Sequence, residues 1–236
     1  MGRGAEAMFF DPMYFVFVLP ALLLAFYAQM KVRGAYSHWL RVANARSLSG
    51  LDAARYLLSA NQLGDVTIEG APGELTDHYD PRTKMLRLSQ GVANSRSVAS
   101  LAIVAHEVGH AVQDAVAYAP LKFRGAIVPA IQVSSYVGPL LFIIGLLLRS
   151  TTLAWLGVIL FGGTVVFSFV TLPVELNASA RAIAMLRDNG LVAGADEENG
   201  ARSVLNAAAL TYIAALAQTL LTLLYYISLL SGRSRD

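Results

Sequence analysis

Residues 102–113 read Ala-Ile-Val-Ala-His106-Glu107-Val-Gly-His110-Ala-Val-Gln, and this stretch decides how the rest of the chain is interpreted. Its flanks are almost entirely apolar, so the pattern predicts a buried helix over about residues 97–117. Residues four apart lie one above the other on a helix, so His106 and His110 share a face and Glu107 stands beside them. Two imidazoles and a carboxylate at this spacing, HExxH, predict a zinc site.

The motif also contains the residues that a zinc peptidase needs for catalysis. Zinc lowers the pKa of a bound water to about 7, and a neighbouring carboxylate can move the water's proton to the leaving amine. We therefore expect His106 and His110 to bind one zinc ion per chain and Glu107 to be the catalytic base. The alternative is a chance spacing on a core helix. However, the chain has only four histidines, and burying three ionisable groups without a metal is costly.

A catalytic zinc needs a third protein ligand. The chain has no cysteine, and its other histidines, His38 and His78, precede the motif and do not fit the HExxHxxGxxH pattern. Glu175 follows an apolar run directly, and we expect it to be the third ligand, on a new helix with Pro173 in its first turn. The alternative is an acidic residue that is favoured there by the helix N-terminus.

Polar residues near these three ligands are candidates for outer contacts. Ligand imidazoles usually donate their second N–H to a carboxylate or carbonyl, and Asp114 lies one turn past His110. Ser179 and Asn177 lie close to Glu175 and are candidates of the same kind. Each of them is equally compatible with an ordinary structural role.

The polar stretch 31–125 is long enough for a small α+β unit. A helix is expected after the Ser49 cap, ending at Gly64, with short strands at 66–69 and 85–88. His78 lies in the turn-rich segment before the second strand, where it, or Tyr79 beside it, could donate to the oxyanion. The alternative is a turn held by its own acidic residues. The edge of the strand at 85–88 could pair with an extended substrate.

Composition places this unit in a membrane protein. Hydrophobic residues make up 56% and charged residues 14% of the 236, and the mean hydropathy is +0.53, whereas soluble domains are about a quarter charged. The net charge is only +2 and the basic residues form no cluster, which argues against nucleic acid as a partner. We expect the partners to be the lipid bilayer and a protein or peptide substrate.

Four charge-free runs are long enough to cross a hydrocarbon layer of about 30 Å. A signal peptide is the alternative for the first run, but the basic residues that follow it favour a retained anchor. The second and third runs are separated only by a short turn and predict a membrane hairpin. The runs cover residues 12–30, 126–148, 153–174 and 207–230.

The expected fold is a mainly α membrane protein with about four transmembrane helices and a small α+β zincin-like metallopeptidase unit. Two crossings separate His110 from Glu175, so both return to the same membrane face. The expected divisions are an N-terminal segment with the first span, the metallopeptidase unit, the hairpin, a helical segment with the third ligand, and the last span with its tail: 1–30, 31–125, 126–174, 175–206 and 207–236.

The distribution of basic residues predicts the side of the membrane. Fourteen Lys and Arg residues lie in the two polar segments and four lie on the opposite side, two of the four near the C-terminus. Cytoplasmic loops carry the excess of these residues. We therefore expect a multi-pass protein of the bacterial plasma membrane whose active site is cytoplasmic.

Three quoted stretches carry a family resemblance: Gly-Glu-Leu-Thr-Asp-His-Tyr-Asp-Pro at 73–81, Leu-Arg-Leu-Ser at 86–89, and the motif up to Gln113. Together they resemble the YugP-type neutral zinc metallopeptidases of bacterial membranes, over almost the whole chain. The resemblance implies a gluzincin-like membrane zinc peptidase and no particular substrate. More broadly, the chain is similar to membrane proteases of the CAAX prenyl endopeptidase type. There, a glutamate matching Glu175 is the third ligand, and an aspartate stands where this chain has Ser179.

The expected function is therefore a membrane-bound zinc-dependent endopeptidase. The alternative is a catalytically inactive zinc-binding scaffold or chaperone, against which Glu107 argues because a structural site needs no base. A transporter is a third possibility, but the spans contain no ionisable pair of the kind that transport pathways use.

Overall fold

The computed structural model describes residues 12–233; residues 1–11 and 234–236, which include Arg3 and Arg235 of the charge count, lie outside the described part. Long helices dominate, and four of them are long and apolar enough to cross a membrane. The fold class expected from the sequence is confirmed. In chain order the elements are α1 (Pro12–Trp39), α2 (Gly50–Ala60), β1 (Thr67–Ala71), β2 (His78–Asp80), β3 (Met85–Ser89), α3 (Gln90–Asn94), α4 (Val98–Ala115), α5 (Ala119–Leu147), α6 (Thr151–Asp188) and α7 (Gly194–Arg233).

The described residues divide into two compact units. The membrane unit comprises residues 12–28, 123–172 and 211–233, and the site unit comprises residues 29–122 and 173–210. In the membrane unit, α5 and α6 form the expected hairpin, joined at Arg149, which has a positive φ of 54°. A Cβ at Gly138 would lie 2.8 Å from the Phe161 nitrogen, so small residues let these two helices approach closely.

The site unit contains a three-stranded sheet in the order β1-β3-β2. β1 pairs with β3 in parallel, and β2 pairs with β3 antiparallel, with Tyr79 opposite Leu86. Helix α2 starts as expected, because the Ser49 side chain accepts a hydrogen bond from the Asp52 N–H. Leu86 on β3 and Leu101 on α4 are fully buried, so the sheet and α4 share one hydrophobic core.

Three expectations about the sheet and α2 were wrong. The strand at Met85–Ser89 is central, so neither of its edges is open to a substrate. The segment around His78 is a short strand and not a turn, because its backbone pairs with β3. Helix α2 ends at Ala60, and Gln62 takes the left-handed conformation with φ of 59°, so Gly64 is not its terminator.

The helix that carries Glu175 also differs from expectation. Glu175 does not open a new helix, because α6 runs without a break from Thr151 to Asp188 with Pro173 in its interior. A proline inside a long apolar helix is tolerated where neighbouring groups satisfy the freed carbonyl. The last helix likewise begins at Gly194, well before the apolar run at 207–230.

Candidate metal centre

Three buried or nearly buried side chains of the site unit converge on one point. Nε2 of His106 lies 3.3 Å from Oε2 of Glu175, and Nε2 of His110 lies 3.5 Å from the same oxygen. Glu175 is only 2% exposed. Within the described residues, these three form a group whose ligand atoms all lie within 4.8 Å of one another. The sequence motif and the distant glutamate therefore meet, and their role as zinc ligands stays a prediction.

The donor set fits a zinc ion. Two imidazole nitrogens and one carboxylate oxygen are a catalytic zinc set with one position left open. Ligand atoms that each lie about 2.0–2.1 Å from a tetrahedral ion stand about 3.3 Å apart. The separations of 3.3 and 3.5 Å from Glu175 to the two histidines match that spacing.

Helix α4 presents the histidines because it approaches α6 very closely. The Ser97 hydroxyl caps its first turn by accepting from the Ser100 N–H. Gly109 then lies between the two histidines, and a Cβ there would be 2.8 Å from the Ala178 carbonyl oxygen. That distance is shorter than an ordinary van der Waals contact. Only glycine therefore lets the backbones of α4 and α6 approach this closely beside the two histidines.

Glu107 is held by the sheet. It is 8% exposed, and its Oε2 accepts a hydrogen bond of 3.0 Å from the backbone N–H of Tyr79 on β2. Burial raises the pKa of Glu107, while the charges of His106 and His110 and the Tyr79 hydrogen bond pull that pKa down; the net direction is upward. A raised pKa is typical of a carboxylate that moves protons.

Strand β2 is in turn fastened to α4 by a second bond. The Tyr79 hydroxyl donates to Oδ2 of Asp114 at 3.0 Å. Burial and this bond to Asp114 raise the pKa of Tyr79, so the phenol stays protonated and remains a donor. Tyr79 therefore fixes Glu107 with its backbone and anchors itself with its side chain.

One of the two histidines, His110, has a different hydrogen-bond partner at its outer nitrogen from the one expected. Nδ1 of His106 lies 3.2 Å from the Ser179 hydroxyl, where the sequence placed a candidate. Nδ1 of His110 lies 2.9 Å from Oε1 of Gln113, and not against Asp114, which is bound to Tyr79 instead. Burial lowers the pKa of His110, but Glu175 and Glu107 outweigh it and raise the pKa overall.

The other two histidines lie apart from this group. The His78 side chain is exposed; its Nδ1 lies 2.8 Å from the Thr76 carbonyl oxygen and its Nε2 lies 3.4 Å from an Arg87 nitrogen. Because side chains alternate along a strand, His78 projects from the face of β2 opposite to the buried Tyr79. Its role at the oxyanion stays a prediction. His38 packs edge-on against Trp39 at the end of α1.

Sequence reasoning missed Gln113 and the backbone of Tyr79. Gln113 is fully buried, and its position three residues after His110, on the same helix face, was the available signal. The Tyr79 N–H carried no signal, because a backbone donor is invisible until the strand pairing is known.

Two comparisons with known proteins match almost the whole chain. Residues 14–231 match the family model described as "Putative neutral zinc metallopeptidase". The chain is 42% identical over 226 residues to the "Putative membrane protease YugP" of Bacillus subtilis (strain 168), which covers 95% of this chain and 100% of that protein. No solved structure matches the chain.

Proposed function

Because this chain belongs to the family of neutral zinc metallopeptidases, we propose that it is a membrane-bound endopeptidase that hydrolyses peptide bonds with one zinc ion per chain. His106, His110 and Glu175 would hold the zinc. The observation that carries the proposal is that Nε2 of His106 and Nε2 of His110 lie 3.3 and 3.5 Å from one oxygen of the buried Glu175. Beside them stands a fourth group, Glu107, that is not needed for metal binding.

The protein's own residues supply the proton transfer. When bound, zinc supplies Lewis acidity, which polarises the scissile carbonyl and makes water a better nucleophile near neutral pH. Glu107 takes the proton of the attacking water and returns it to the leaving nitrogen. The Tyr79 N–H holds Oε2 of Glu107, which leaves Oε1 to receive that proton. Burial favours the transfer, because it raises the pKa of Glu107 toward the operating pH, where a carboxylate is a stronger base and can still return the proton.

The site is further proposed to lie on the cytoplasmic face and to act on protein or peptide segments near the bilayer. The excess of Lys and Arg in the two polar segments supports this orientation. The chain has no cysteine, so single substitutions can report on sidedness. Ser59→Cys, in the site unit, should resist a membrane-impermeant maleimide in intact cells, whereas Thr152→Cys, exposed in the first turn of α6, should react. The reverse pattern would refute the orientation.

The peptidase and scaffold interpretations predict different behaviour of one variant. Glu107→Gln keeps the size of the side chain and can still receive the Tyr79 hydrogen bond, but it cannot take a proton. We expect purified Glu107→Gln to retain about one zinc per chain and to lose casein cleavage by at least about 100-fold. If the wild type binds zinc and both proteins are equally inert on a broad set of peptides, the inactive scaffold is the better description.

A further inference from the structure

We propose that Gln113 is a positioning residue that fixes the tautomer of His110, so that Nε2 offers its lone pair to a metal ion held together with Glu175. The benefit of this tautomer for zinc binding rests on the proposed function, but the orientation of the Gln113 amide follows from hydrogen bonds within the site unit.

The Val174 carbonyl fixes the amide of Gln113. Nε2 of Gln113 donates to the Val174 carbonyl oxygen at 2.8 Å, and the side chain is fully buried. A carbonyl oxygen can only accept. If the amide were flipped, two oxygens would face each other without water between them, so the nitrogen must point to Val174.

Arg181 fixes the amide a second time, through Asn177. Nε of Arg181 donates to Oδ1 of Asn177 at 2.8 Å, and the guanidinium is a permanent donor. The same oxygen accepts from Nε2 of Gln113 at 3.0 Å. Asn177 therefore presents its acceptor to Gln113, which again requires the Gln113 nitrogen on that side and its oxygen on the other.

The oxygen of Gln113 then determines where His110 carries its proton. Oε1 of Gln113 lies 2.9 Å from Nδ1 of His110, and an amide oxygen only accepts, so Nδ1 must donate. A neutral imidazole has one N–H, so Nε2 of His110 is left with its lone pair. That nitrogen is the one that lies 3.5 Å from Glu175.

His106 lacks this constraint. Its Nδ1 lies 3.2 Å from the hydroxyl of Ser179, which can donate or accept. The two histidines of the motif thus differ: His110 is preset for binding through Nε2, whereas His106 can adjust. Val174 and Asn177 flank Glu175 on α6, so the amide that sets the His110 tautomer also sets the register of Glu175 against α4.

The neutral amide also limits the charge of the site. Ligand histidines are commonly supported by a carboxylate, which raises the basicity of the imidazole. Glu107 and Glu175 already bring two carboxylates to this group. An acceptor without charge orients His110 and adds no third negative charge beside the catalytic base.

Gln113→Met tests the proposal, because it keeps the length of the side chain and removes both the acceptor and the donors. The full chain is purified in detergent with ¹⁵N-labelled histidine and loaded with zinc, because without the metal the Glu175 carboxylate favours a proton on Nε2 of His110. His38→Gln and His78→Gln variants remove the other two histidine signals. We expect the wild type to show a hydrogen-bonded, slowly exchanging Nδ1–H at His110, and Gln113→Met to lose both the hydrogen-bonded shift and the slow exchange of that proton.

Zinc affinity, measured by competition with a chelator, is the second readout. We expect Gln113→Met to weaken binding by about 10–100-fold, as is usual for outer partners of ligand histidines. Gln62→Met is the matched control: this glutamine is exposed in the turn after α2, and its loss should change neither the tautomer nor the affinity. A folded Gln113→Met protein whose Nδ1 proton at His110 and zinc affinity match those of the wild type would overturn the proposal.

Gln113→Glu keeps the test decisive if the methionine variant does not fold. It retains an acceptor for Nδ1 of His110 and loses the donor to Val174, so we expect the zinc-loaded protein to keep the hydrogen-bonded Nδ1–H, with an affinity between those of the wild type and Gln113→Met. Loss of that hydrogen-bonded proton in Gln113→Glu would contradict the role assigned to the acceptor. If the wild type binds no zinc at all, the proposed function fails; if it binds zinc and Gln113→Met binds zinc equally tightly, only this inference fails.

Discussion

Gly109→Ala is the substitution whose effect follows most directly from the distances at the site. A Cβ at residue 109 would lie 2.8 Å from the Ala178 carbonyl oxygen, and 3.4 Å from two more backbone atoms of Ala178. Ordinary contact begins near 3.4 Å. Because the obstacle is backbone, α4 and α6 must separate by roughly half an ångström or more, or both must distort.

Two opposing energies set the expected size of the effect. Alanine in a helix interior is favoured over glycine by about 0.5–1 kcal/mol, whereas overpacking a tight contact costs about 1–3 kcal/mol. We expect a net loss of about 1–2 kcal/mol in unfolding free energy. The separation also moves the histidines away from Glu175, so zinc affinity should fall by about tenfold or more, as expected for a disturbed ligand geometry.

Gly34→Ala is the matched control. Gly34 is also inside a helix, in the site unit, but nothing lies within 4 Å of its Cβ position. The same change should therefore stabilise the protein by about 0.5–1 kcal/mol and leave zinc affinity unchanged. Both proteins are measured by unfolding in detergent and by chelator competition. A Gly109→Ala protein that is as stable as Gly34→Ala and binds zinc as tightly as the wild type would refute the close approach of α4 to α6.

Two further predictions concern the support and the charge of Glu107. Tyr79→Phe removes the donor to Asp114 but keeps the backbone N–H that binds Glu107. We expect a loss of about 1–2 kcal/mol in unfolding free energy and a lower kcat, with little change in zinc affinity. Unchanged stability would show that the hydroxyl does not anchor β2. The base must be deprotonated to act, and burial raises the pKa of Glu107, so kcat/KM should fall with decreasing pH at values above the usual glutamate pKa of 4.5. An acid limb at or below that value would contradict the burial of Glu107 in the working enzyme.

The local geometry of the metal helix could be predicted from the sequence because it depends on the helix alone. The spacing of His106 and His110 places both imidazoles on one face whatever surrounds them. The approach of Glu175 to the histidines could also be predicted, because an even number of crossings returns the chain to the same membrane face. These two regularities are properties of short spacings and of topology, and they need no knowledge of packing.

The remaining parts depend on tertiary contacts that leave little trace in the sequence. Strand β2 has three residues, and its acidic neighbours resemble a turn; its conformation comes from pairing with β3. The sequence around Pro173 resembles the start of a helix, but α6 is long and apolar and continues through this proline. Gln113 was passed over for Asp114 because a carboxylate is the commoner partner of a ligand histidine.

Zinc K-edge X-ray absorption on the purified full-length protein, with the metal content measured on the same sample, tests the central claim most directly. We predict about one zinc per chain, bound to two imidazole nitrogens and to oxygen at about 2.0–2.2 Å. A protein that retains no zinc after purification in zinc-containing buffer, or a bound zinc whose spectrum lacks the scattering of two imidazoles, would contradict a metal centre built on His106, His110 and Glu175.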